Sequence, residues 1–186
     1  MKCIFSVLLV LLPLCLQAQD TLLPVNANGV IEYTEVILVD SATEQQLYSR
    51  GRLFIANAFK SATDVIKLED PASFTVVTKG NLPRFYSNPL NKTQGGYVSF
   101  KFTVQCRAGR YKYSVTDLIH KQSAISTIHD SGGLLTNEIP DCGRLNLRLK
   151  AWKRIKAQTD HDIKLFINEL KQTMAGKTEF SGNDNW

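Results

Sequence analysis

Residues 97–119 hold two runs of alternating apolar and polar residues separated by Ala108-Gly109, and that pattern leaves few folds open. In the first run Val98, Phe100, Phe102, Val104 and Cys106 share one face, and Tyr97, Ser99, Lys101, Thr103 and Gln105 the other. A period of two is that of a half-buried strand. Arg110 to Ile119 alternates in the same way. A two-residue turn between Arg107 and Arg110 sets the register. Cys106 then faces Tyr111, Val104 faces Tyr113, Phe102 faces Val115, Phe100 faces Asp117 and Val98 faces Ile119. Behind them Gln105 meets Lys112 and Lys101 meets Thr116. One apolar and one polar face predict an antiparallel sheet covered on one side.

The flanking segments supply the rest of that sheet and its cover. Val30 to Val39 reads as a first strand after the Asn28-Gly29 turn. Ser41-Ala42-Thr43-Glu44 matches a capping box, and Leu47, Gly51, Phe54 and Ala58, flanked by Tyr48, Ile55 and Phe59, form one helical stripe. Gly51 in that stripe points to close approach to the sheet. Thr63–Glu69 and Phe74 to about Lys79 read as strands around an Asp70-Pro71-Ala72-Ser73 turn, the second interrupted by Gly80 and Pro83. Tyr86–Gly96, with Asn88-Pro89 and Gly95-Gly96, reads as a loop. Lys121–Gly143 is a second, 23-residue loop.

From Arg144 to Met174 a stripe of Leu145, Leu149, Trp152, Ile155, Thr159, Ile163, Phe166 and Leu170 predicts helix. Thirty-one unbroken residues would reach about 46 Å, so a break is expected at Thr159-Asp160, which looks like a cap. The expectation is an α+β domain of about five strands in β-α-β-β-β-β-α order, with two helices on one face.

Composition bears mainly on the address. Met1-Lys2, an apolar run from Ile4 to Leu16 and Gln17-Ala18-Gln19 have the layout of a secretory signal peptide over residues 1–18. The run is too short for a bilayer anchor and contains Pro13. Leu14 before Cys15 fails the lipoprotein pattern, so soluble export to the periplasm or beyond is expected. One domain over 19–175 and a loose tail over 176–186 follow. Losing Lys2 leaves 21 Lys+Arg against 17 Asp+Glu, a net charge of +4. Such a balance selects no partner, and export speaks against nucleic acid. Only Cys106 and Cys142 remain. They can form one disulfide in an oxidising compartment, or stay as a core thiol and a loop thiol.

Candidate chemistry is sparse. His120, His129, Cys142 and Asp130 surround the long loop without a tight ligand pair, so no metal or cofactor is expected. Ser123, Ser126 and Ser131 sit in no Gly-x-Ser-x-Gly elbow. Asp117, placed by the register on the apolar face, can act as acid or base with a raised pKa, or simply accept hydrogen bonds from a neighbouring element. Asp117, His120 and His129 are therefore the candidate ligand-binding residues. The acid-free run that includes Arg148, Lys153, Arg154 and Lys156 is a candidate contact for an anionic surface. Its ordinary reading is a solvated helix face.

Several stretches resemble a family. They are Gly29–Val36, Gly95-Gly96-Tyr97-Val98, Gly109–Asp117, Gly132-Gly133 with Pro140-Asp141-Cys142-Gly143, and Trp152 with Ile155-Lys156 and Thr159-Asp160. Together they resemble a domain-of-unknown-function family of exported Bacteroidetes proteins with a TATA-binding-protein-like fold. The resemblance implies a curved antiparallel sheet with helices against one side. It implies no activity and carries over no catalytic residue. The function expected is an exported, non-catalytic binding or interaction module of the envelope, its partner an envelope protein, glycan or small ligand. The alternatives are a hydrolase-like enzyme using Asp117 and the loop histidines, or a peripheral envelope protein docking through the basic last helix.

Overall fold

A computed structural model describes residues 23–59, 66–87, 92–123 and 130–176. The segment expected to be a signal peptide, His129, Asn88-Pro89, the start of the strand expected from Thr63 and the tail beyond Gly176 lie outside the described residues. In chain order the elements are β1 (Tyr33–Leu38), α1 (Glu44–Ala58), β2 (Ile66–Asp70), β3 (Thr75–Ser87), β4 (Lys92–Arg107), β5 (Arg110–Lys121), β6 (Gly133–Leu134), α2 (Gly143–Asn146) and α3 (Leu149–Met174). The antiparallel sheet runs β1-β5-β4-β3-β2, with β6 added beside β5. Among the described residues no helix is long and apolar enough to cross a membrane.

The two sides of the sheet differ row by row. Tyr33, Val115, Phe102 and Thr78 lie across from one another and are all buried. Both long helices cover this side. Phe54 of α1 and Phe166 of α3 each meet Phe102 edge-on, at ring-centroid separations of 5.9 and 5.1 Å. The next row is Glu35, Tyr113, Val104, Val76 and Glu69, with an acid at each sheet edge. Each acid holds one helix: Glu69 pairs with Arg52 of α1, and Glu35 with Lys171 of α3. Exposed pairs of this kind contribute little energy, so they orient the helices more than they stabilise them.

Gly51 sits where α1 comes closest. A Cβ there would lie 3.4 Å from Val104 Cγ1, so the close approach read from its place in the stripe is present.

Four elements depart from the sequence reading. The capping box lies two residues later. Thr43 Oγ1 accepts from Gln46 N–H and Gln46 Oε1 accepts from Thr43 N–H, while Ser41 has φ of 63° and cannot supply the extended backbone of an N-cap. β3 continues through Gly80 and Pro83 to Ser87, so Tyr86 and Lys92–Gly96 are strand rather than loop. Gly80 is required because the Phe100 ring lies over it, 2.3 Å from where a Cβ would stand. Pro83 stays in the ladder opposite Tyr97 of β4, so it does not end the strand.

α3 starts at Leu149 and runs unbroken through Thr159-Asp160. Those two side chains point inward because the sheet offers them partners: Tyr33 Oη donates to Asp160 Oδ1 at 2.8 Å and Arg84 Nε to Thr159 Oγ1 at 3.2 Å. Leu145, expected in the buried stripe, is 99 % exposed on α2, and Leu147 is buried instead.

Candidate functional site

The β4–β5 register follows the alternation from Arg107–Arg110 as far as Lys101–Thr116, then slips. Asp117 is the extra residue of a bulge, with φ of 56°. A single extra residue reverses the faces beyond it. Val98 therefore pairs with His120 and Ser99 with Ile119, in place of Val98 with Ile119, and Leu118 and His120 turn into the core. Asp117 is not on the apolar face. Its side chain is 57 % exposed and its carboxylate lies 3.3 Å from Lys101 Nζ.

His120 is fully buried, and both ring nitrogens are used. Gly132 N–H donates to Nδ1 at 2.9 Å, so Nε2 carries the proton and donates to Gly95 O at 2.8 Å. Burial holds the imidazole below its ordinary pKa, the Arg84 charge adding to the shift and the Gly95 bond and Asp130 opposing it. The Trp152 ring stands edge-on at 5.9 Å, and a Cβ on Gly132 would come within 2.4 Å of it. Asn137 O accepts from both Trp152 Nε1 at 2.9 Å and Lys156 Nζ at 2.7 Å. A Cβ on Gly133, whose φ is 72°, would strike the Asp141 carboxylate. The Gly132-Gly133, Pro140–Gly143 and Trp152 stretches thus form one clasp that ties the loop to α3 through His120.

The other expected residues disperse. Cys106 and Cys142 are both free thiols, so the pairing left open above is absent. Burial pushes Cys106 up to about 12, which keeps it protonated and inert. Lys153 and Lys156 line one cleft with Leu149, Trp152 and Glu138, whereas Arg154 lines a different one with Arg84 and His161. Arg148 is exposed at the start of α3. These four cations do not share one surface, and Lys156 is tied to Asn137 O. No group of three or more potential metal ligands occurs among the described residues.

Among the described residues, no helix covers the other side of the sheet. One row across it is Val36, Lys112, Gln105 and Thr75, ending at Asp70, whose carboxylate turns back to Ala72 N–H, Ser73 N–H and Ser73 Oγ. A shallow depression of about 400 Å³ follows this row and takes in Arg107 and Arg110. The next row is Thr34, Ser114, Thr103, Val77 and Leu68. Beyond it Lys79 stands directly opposite Lys101. Among the described residues, the cations of this face exceed its acids.

Residues 33–121 match a family described as a domain of unknown function (DUF4468) with TBP-like fold. Two solved structures share the architecture. A TBP-like protein from Parabacteroides distasonis is 9 % identical, with a TM-score of 0.56 over 80 % of this chain and 97 % of the other. A DUF4468 family protein from Bacteroides ovatus is 13 % identical, with a TM-score of 0.57 over 82 % and 91 %. At such identities the likeness speaks for the fold alone. No curated protein matches the chain. The fold is TBP-like, as the resemblance implied.

Proposed function

We propose that this chain, whose residues 33–121 match a domain of unknown function with TBP-like fold, is an exported, non-catalytic binding module of the envelope. Its uncovered sheet face receives an anionic ligand. The observation that carries the reading is the row Val36–Lys112–Gln105–Thr75 with Arg107 and Arg110 beside it, a depression lined by three cations and no acid. Lys79 opposite Lys101 adds positive charge further along the same face, with Asp117 beside Lys101 offsetting part of it.

The hydrolase-like alternative has less support, because Asp117 lies exposed on a bulge and His120 is buried with both nitrogens committed, while His129 lies outside the described residues. Native mass spectrometry of the protein purified from its own envelope fraction tests the proposal. The expected result is a co-purified anionic mass that is absent from the Arg110→Glu/Lys112→Glu variant, whose substituted positions are exposed. A ligand retained equally by that variant, or no ligand on either protein, refutes the sheet face as the site.

A further inference from the structure

Arg84 is the residue the fold explains least. The register slips between Pro83 and Phe85, where β4 carries an extra residue at Gly95-Gly96 across from Arg84, and the Arg84 side chain turns under α3. There it is only 3 % exposed. Nε donates to Thr159 Oγ1, and Nη1 donates to Asp162 Oδ2 at 2.6 Å and to Pro83 O at 3.1 Å. Nη2 is buried and finds no acceptor among the described residues. An orphaned donor on a buried guanidinium costs as much as a lost hydrogen bond or more, and native proteins leave few of them.

Arg84 also forms part of the wall of a cleft of about 560 Å³. The facing wall is one stripe of α3, namely Arg154, Ala157, Gln158 and His161, which helical spacing brings to the same side. Pro83 and Phe85 supply an apolar flank. Among the described residues Asp162 is the only acid in the lining, and it is already paired with Arg84. Donor-bearing side chains therefore line the cleft from two elements: Arg84, whose Nη2 is unused, on β3, and Arg154, Gln158 and His161 on α3.

We propose that this cleft is a second binding site, separate from the uncovered sheet face, and that it takes a small oxyanion group such as a phosphate or carboxylate. Arg84 Nη2 and Arg154 supply the two charge-assisted bonds, because a guanidinium presents paired N–H groups at the spacing of two oxyanion oxygens. Gln158 and His161 complete the donor set. Pro83 and Phe85 accommodate whatever apolar body carries the anion.

Inorganic phosphate is the probe, and thermal unfolding of the full chain at pH 7 and constant ionic strength is the readout. Phosphate at tenfold excess over its dissociation constant is expected to raise Tm by about 3–5 °C. Arg84 variants can fail to fold, so the exposed Arg154 carries the test. Arg154→Gln should weaken phosphate at least tenfold, and His161→Ala should weaken it less. Arg144→Gln, an equal charge change outside this cleft, should leave the shift intact. Equal losses in Arg154→Gln and Arg144→Gln mean an adventitious ion only and overturn the proposal. So does the absence of any shift with phosphate in the wild type, which leaves water as the partner of Nη2.

Discussion

The His120 clasp makes a prediction that separates a structural histidine from a catalytic one. In the folded chain Nδ1 accepts the Gly132 N–H, and burial holds the imidazole below its ordinary range. In the unfolded chain the ring has its usual pKa of about 6.5. Above that pH neither state is protonated, and the clasp contributes fully. Below it the unfolded chain binds a proton that the folded chain refuses. Stability then falls by about 1.4 kcal/mol per pH unit until the depressed folded pKa is reached. The loss attributable to His120 therefore grows as the pH drops below 6.5, and Tm falls with it.

Urea unfolding at pH 7.5, 6 and 5, for the wild type and His120→Gln, isolates this contribution from the carboxylates that titrate in both. The variant should start about 1–3 kcal/mol less stable at pH 7.5, because one or both clasp bonds are lost or bent. The gap should then narrow as the pH falls. A gap that stays constant from pH 7.5 to 5 would falsify the assignment of His120 as a buried neutral clasp.

Three further outcomes follow from particular contacts. Gly132→Ala places a methyl 2.4 Å from the Trp152 ring, so it should destabilise by about 2–4 kcal/mol in chemical denaturation and disturb the Trp152 fluorescence, with an unchanged spectrum counting against the clasp. Tyr33→Phe removes the 2.8 Å bond to Asp160 while leaving the ring in place, and should cost about 1.5–3 kcal/mol; a loss below 0.5 kcal/mol, on the order of a surface change, would show that Lys164 alone satisfies Asp160. Asp117→Gly relieves a φ of 56° and should be more stable than Asp117→Ala by about 1 kcal/mol, whereas equal stabilities would mean the bulge is not held in the left-handed conformation.

What was legible in the chain was whatever two-residue or helical periodicity could express on its own. Alternation over residues 97–106 and a short turn at Ala108-Gly109 gave the register of the hairpin down to Lys101–Thr116. The stripe through Leu47, Gly51 and Phe54 gave the buried face of α1, although Ala58 at its end is exposed. The errors arose where a tertiary partner overrode a local signal. Gly80 and Pro83 read as strand breakers, but the Phe100 ring fills the space above Gly80 and Pro83 keeps its place opposite Tyr97 of β4. Thr159-Asp160 read as a cap, yet Tyr33 and Arg84 arrive from the sheet to satisfy both side chains inside an unbroken helix. Arg84 itself carried no signal beyond its place after Pro83, because a buried arginine is recognisable only from the acceptors around it.

The candidate site changed most, and one residue accounts for it. In an uninterrupted alternation Asp117 and Ile119 face the core, and His120 lies on the polar side. Adding one left-handed residue at Asp117 exchanges those places, so the carboxylate goes to solvent and the imidazole goes under α3. The phase change is written in the composition of the strand. Apolar residues stand at Tyr111, Tyr113 and Val115, then at Leu118, a gap of three where the period asks for two. Aspartate is one of the few non-glycine residues that adopts such a φ at modest cost. Asp117 is therefore better explained as the hinge of the bulge than as an acid awaiting a substrate. That reassignment moves the search for ligands away from the long loop, towards the uncovered sheet face and the Arg84 cleft, where unpaired donors have no structural work to do.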